Sequence, residues 1–163
     1  MTRQTAFIQA LTGVPARPHG RRGSTTSQRA QLLSRVPLFS GLTRRHLRQL
    51  AEACTDARYR PGTTIVLEGK PGDTFFVIVE GEAVVLRGVR RIARLGPGDF
   101  FGEIALLDGG PRTATVEART PVLAVRLSRA TFNRMLAVEP KIGIKILDEV
   151  ARRIRERERL LTA

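Results

Sequence analysis

Glu103 and Arg112 are the two side chains whose types and spacing most suggest chemistry. They sit in Phe101-Gly102-Glu103-Ile104-Ala105-Leu106-Leu107-Asp108-Gly109-Gly110-Pro111-Arg112-Thr113-Ala114-Thr115-Val116. Arg112 offers a planar fork of donors and cannot lose its charge. Lysine would bring charge without the fork. Residues Glu103 to Leu107 are apolar and helix-prone, and Gly102 lets a backbone come close just before them. A short helix starting there points free N–H groups at an anion. Glu103 has no cation next to it in sequence and suits a hydroxyl donor. Together these groups could hold a singly charged phosphate beside a sugar hydroxyl. The plain alternative is a surface arginine and a carboxylate favoured by a helix dipole. That alternative suits an isolated Gly-Glu or Pro-Arg pair better than the assembled pattern with its flanking strands.

This stretch resembles the phosphate-binding cassette of cyclic nucleotide-binding domains. That pattern reads Phe-Gly-Glu, an aliphatic residue, Ala-Leu, a variable turn, Pro-Arg, a small residue and Ala, and every position is filled here. The resemblance implies that Glu103 accepts the ribose 2′-hydroxyl. It assigns phosphate contacts to Arg112, the Ala105 amide and Thr113, with Gly102, Ile104 and Ala114 completing the ligand-binding stretch. It covers roughly residues 30–163.

The chain has 163 residues, enough for one domain with a proper core. Its formal net charge of +13 is unevenly placed. Residues 1–51 carry nine arginines and no acid, whereas residues 52–140 carry 12 basic and 11 acidic side chains. The basicity belongs to the ends, which argues against the folded middle as a nucleic-acid surface. Cys54 is the only cysteine, so no intrachain disulfide can form. A reducing, cytoplasmic compartment fits. No apolar run is long enough to span a membrane. Neither a nucleophile–base constellation nor metal-ligand spacing is found, so an enzyme, a resident cofactor and a metal are not expected.

Residues 1–27 read as a basic, disordered tail. Its composition also resembles a transit peptide, Arg21-Arg22-Gly23-Ser24 a basophilic kinase site, and the twin arginines an export signal without its apolar core. From residue 28 to 163 one domain is expected. A helix over Gln28–Arg35 precedes a Pro37-Leu38-Phe39 turn, and Thr43 can cap a helix running to about Cys54. Residues 54–128 then switch to short strands with turn signals every few residues. The fold class expected is mainly β: an eight-stranded jelly-roll-like barrel with N-terminal helices, a short cassette helix and two C-terminal helices. Ser128 can cap the first of these, and Pro140 suits the first turn of the second, with the pair spanning about 129–161.

No helix-turn-helix segment follows the last helix. The expectation is therefore a stand-alone cyclic nucleotide sensor that acts on a partner protein through that helix. Cyclic AMP is favoured on the likeness to bacterial cyclic AMP receptors, and Thr113 keeps cyclic GMP as the alternative. Aligning Ala151-Arg152-Arg153-Ile154 with the family puts Arg157 and Glu158 near the base, and Glu158 could accept an adenine amino group. Leu147, Val150, Ile154 and Leu161 would support at most a weak homodimer seam. The other class of reading is an interaction or nucleic-acid-associated protein working through its arginine-rich ends.

Overall fold

The run Thr74-Phe75-Phe76-Val77-Ile78-Val79-Glu80 is apolar on both of its faces. The computed structural model, which describes residues 25–162, explains this pattern. The run is a strand with sheet partners on both edges and packed layers on both faces. Phe75 and Val77 point into one apolar cluster, Phe76 and Ile78 into another, as a period of two requires.

Among the described residues eight strands form: β1 (Thr55–Tyr59), β2 (Thr64–Val66), β3 (Thr74–Glu80), β4 (Ala83–Arg87), β5 (Arg90–Leu95), β6 (Phe100–Phe101), β7 (Thr115–Ala118) and β8 (Val122–Ser128). They pair into two antiparallel four-stranded sheets, β1-β8-β3-β6 and β2-β7-β4-β5. The inner faces of the two sheets meet around Ile65, Phe76, Ile78, Leu95, Phe101 and Val116. The mainly β, two-layered fold expected from the sequence is the one observed, with two facing sheets rather than a continuous hydrogen-bonded barrel.

Helices cover the outer face of the first sheet. They are α1 (Thr26–Ser34), α2 (Arg44–Ala53), the cassette helix α3 (Glu103–Asp108), α4 (Arg129–Val138) and α5 (Lys141–Thr162), with a 3₁₀ turn at Pro37–Phe39. Thr43 and Ser128 cap α2 and α4 as their positions suggested, each accepting from the amide three residues on. Helix α1 begins earlier than expected. The Thr25 hydroxyl accepts from the Gln28 amide while the Gln28 side chain accepts from the Thr25 amide, a reciprocal cap that draws Thr26 and Ser27 into the helix. The rest of the expected tail, residues 1–24 with its transit, kinase and export readings, lies outside the described residues. Among the described residues no helix is long and apolar enough to cross a membrane.

Arg29 ties this helical layer to the sheet. Its Nη1 donates to the Ala51 and Cys54 carbonyls at 2.6 and 2.7 Å, and its Nη2 meets Asp56 Oδ1 at 2.9 Å. It thereby satisfies carbonyls at the end of α2 that have no helical partner. Both side chains of the ion pair are nearly buried. Arg29→Ala should lower the unfolding free energy by roughly 1.5–3 kcal/mol, the worth of bonds to a charged group. Arg94→Ala breaks the exposed Glu82 pair and should cost about 1 kcal/mol or less. Urea unfolding of the two variants checks this; equal midpoints would contradict the role given to Arg29.

Candidate ligand-binding site

The cassette is positioned by the shortest strand. In β6, Phe100 turns outward to the helices and Phe101 inward, where its ring stacks on Phe76 with centroids 4.8 Å apart. The chain then swings at Gly102, whose φ of 90° favours glycine. An added Cβ there would lie 2.6 Å from the Thr74 carbonyl oxygen and 2.8 Å from Arg112 Nη1. Helix α3 starts at the next residue and ends at Gly109, also left-handed. Arg129, at the start of α4, holds the other end of α3 by donating to the Leu106 and Ala105 carbonyls at 3.3 and 3.4 Å.

Arg112 is 7 % exposed. Among the described residues its guanidinium has no carboxylate within ion-pair distance, and its hydrogen bond is a long one, 3.5 Å from Nη1 to the Gly102 carbonyl. It lies 5.9 Å from the centre of the Phe76 ring. Gly72 makes room for it, since a Cβ there would fall 2.3 Å from Arg112 Nε. Burial pulls the Arg112 pKa below the usual arginine range, against the opposing pull of Asp73 and Glu103. This cation is desolvated with little return from the protein itself.

Glu103 is the complementary half. It is 2 % exposed, and burial raises its carboxyl above the usual range. Arg153, its own amide and Arg112 oppose that rise, and Glu149 adds to it. Its Oε1 accepts from Arg153 Nη1 at 3.1 Å. Its Oε2 is buried and has no hydrogen-bond partner among the described residues. Arg153 also donates to the Phe100 carbonyl at 2.7 Å and lies over the Phe100 ring at 5.2 Å. One arginine of α5 therefore clamps both the strand before the cassette and its carboxylate.

Gly102, Glu103, Ile104, Ala105, Arg112, Thr113 and Ala114 all line one cavity of about 240 Å³. Apolar side chains of the second sheet form its floor, and α5 forms a wall through Val150, Arg153, Ile154, Glu156, Arg157 and Leu160. The sequence expectation for Glu158 needs correction: it does not line the cavity, and Arg157 does. The cause is helical phase. A step of one residue turns a side chain about 100° around the axis, and the cavity face is set by Val150, Arg153, Ile154 and Arg157. Arg153 and Arg129 were missed as site residues. The signal for Arg153 was an arginine on the inward stripe of an amphipathic helix; Arg129 had no signal beyond its place after a helix cap.

A fitting ligand brings an anion to Arg112 and a hydroxyl to Glu103 Oε2, with an apolar flat group against the sheet and α5. The model of the cyclic nucleotide-binding domain matches residues 57–139. Similar solved structures include the regulatory domain of Toxoplasma gondii PKA crystallised with cAMP, at 28% identity and a TM-score of 0.67, covering 76% of this chain and 50% of that one. Thermus thermophilus catabolite activator protein aligns at 29% identity and 0.68, covering 77% and 62%. The N-terminal domain of a Streptomyces coelicolor transcriptional regulator aligns at 32% and 0.60, covering 80% and 94%. The chain thus spans about half to two thirds of the first two and nearly all of the third. Cassette, two-sheet fold and this likeness agree that the chain belongs to the cyclic nucleotide-binding domain family.

Proposed function

We propose that the protein is a sensor that binds a 3′,5′-cyclic nucleotide in this cavity and passes the event to a partner protein through α5. The observation that carries the reading is the pairing of two incomplete groups. Among the described residues a buried guanidinium has no carboxylate within ion-pair distance, and a buried carboxylate oxygen of the same cavity lacks a donor. A cyclic phosphodiester gives Arg112 its anion, and the ribose 2′-hydroxyl gives Glu103 Oε2 its donor. The Ala105 amide and the Thr113 hydroxyl are assigned to the phosphate as the cassette pattern implies. The T. gondii relative holds cAMP, which supports the cyclic AMP reading of the sequence. Helix α5 is the route outward because Arg153 already joins it to Glu103. Its exposed Ile144, Leu147 and Leu161 offer apolar surface to a partner.

Arg112→Met tests the anion site. Removing one member of a buried charge pair costs roughly 3–5 kcal/mol, so nucleotide affinity should fall more than about a hundredfold. The ligand-free variant should melt no lower than the parent, because a buried cation whose desolvation outweighs the pull of Asp73 and Glu103 has been removed. Calorimetry and thermal melting read both quantities; undiminished binding would remove Arg112 from the site.

A pH profile tests Glu103. A carboxyl with a folded pKa raised above its unfolded value contributes stability below the unfolded pKa and loses it as pH rises through the folded one. Glu103→Gln mimics the protonated form, so the ligand-free variant should gain melting temperature over the parent as pH rises from acid to neutral. A constant difference across that range would mean that the carboxylate is not held against its charge.

Ligand should also slow amide exchange in residues 145–162. Arg153→Met should abolish that slowing while nucleotide still binds. Undiminished protection in the variant would place the coupling elsewhere than the Arg153–Glu103 pair.

A further inference from the structure

Residues 83–98, which hold the β4–β5 hairpin, contain four arginines and no acid. Arg94 is paired with Glu82. Arg87, Arg90 and Arg91 are exposed and have no ion pair or side-chain hydrogen bond among the described residues. Arg87 and Arg90 stand opposite each other on the last rung of the hairpin, where like charges destabilise the pairing. Between them runs the two-residue loop Gly88-Val89, and the Val89 side chain is fully exposed. The carboxylate at this tip, Glu68, accepts from the Gly88 amide at 2.8 Å and pairs with no arginine. The end of α5 lies alongside. Burial, and then the charge of Arg87, lower the pKa of Arg157, and the exposed Leu160 shares the cavity lining with Ile92 of β5.

Strand β5 is the edge of its sheet, and charges on an edge strand discourage unwanted pairing. That accounts for Arg91 and Arg94. It does not account for Arg87, which lies on an inner strand, or for an apolar tip. A cluster of guanidinium groups without acceptors suits a polyanion. Val89 narrows the choice. Beside the phosphates of a nucleic acid it would stay in water, whereas a lipid layer places acyl carbon directly beneath its phosphates.

We infer that the β4–β5 tip, with the neighbouring end of α5, is a docking surface for an anionic lipid bilayer, on which Arg87, Arg90 and Arg91 meet lipid phosphates and Val89 enters the headgroup layer. The inference is independent of the cyclic nucleotide reading, since none of these four residues lines the cavity. It assigns a task to the one strongly basic stretch inside the otherwise balanced middle of the chain.

Flotation of the full chain with phosphatidylcholine vesicles, with and without phosphatidylglycerol, tests it. The protein should float with the anionic vesicles only, and less as salt rises. Each arginine near an anionic surface contributes about fivefold in affinity, so replacing Arg87, Arg90 and Arg91 together by glutamine should weaken binding about a hundredfold. The triple variant should melt no lower than the parent, because it removes a like-charge pair. The chain contains no tryptophan, so Val89→Trp places a single fluorophore at the tip. Its emission should shift to shorter wavelength with anionic vesicles, and the shift should vanish when the three arginines are also replaced. The inference is overturned if the parent does not float with the anionic vesicles, or if the tryptophan emission stays unmoved. A triple variant that floats as well as the parent would assign lipid binding to basic residues elsewhere and equally overturn it. A shift with duplex DNA and none with vesicles would make the tip a nucleic-acid surface instead.

Discussion

The burial of Arg112 with no ion pair among the described residues is the constraint around which the rest of this structure is arranged. Desolvating a cation costs several kcal/mol unless something of opposite charge meets it. Here the described residues contribute a ring face, one long bond to a carbonyl and the pull of Asp73 and Glu103 from beyond ion-pair distance. The missing term has to come from outside. An anion that enters the cavity meets a donor fork already stripped of water and already aimed, so little reorganisation opposes binding.

Much of the local geometry serves that placement. Gly72 gives the guanidinium its space, and Gly102 lets the chain turn tightly beside it. The two-residue strand β6 fixes the start of the cassette by pairing Phe101 with Phe76, and Arg129 anchors the far end of α3. Glu103 is held differently. Arg153 engages one of its oxygens and leaves the other for a ligand. On the function proposed above, this contact between the site and a long surface helix is what links occupancy to helix position. The energy spent on these unsatisfied groups is stability given up for function, as binding sites commonly require.

Most of the fold was legible because its signals are local. Thr43 and Ser128 cap helices where the sequence places them, and the strand runs end at their turn glycines. The cassette was legible for the same reason: its charges, its glycines and its short helix lie within one continuous stretch, and the seven cassette residues come together on one cavity. What depends on packing was not. The choice between Arg157 and Glu158 is a question of how α5 rotates against the sheets, and adjacent residues on a helix differ by about 100°. The Arg153–Glu103 pair spans 50 positions in the chain and leaves no mark in either neighbourhood. Helix α1 starts early because of a reciprocal cap between Thr25 and Gln28, which composition alone did not separate from the tail.

The position of the phosphate decides whether this cavity is a cyclic nucleotide site, and a crystal structure of the protein grown with a 3′,5′-cyclic nucleotide measures it directly. The result expected is a phosphate whose free oxygens lie about 2.7–2.9 Å from the Arg112 guanidinium nitrogens, the range for charge-assisted bonds, with the 2′-hydroxyl donating to Glu103. A nucleotide bound elsewhere, or one whose phosphate stays out of hydrogen-bonding reach of Arg112, would contradict it.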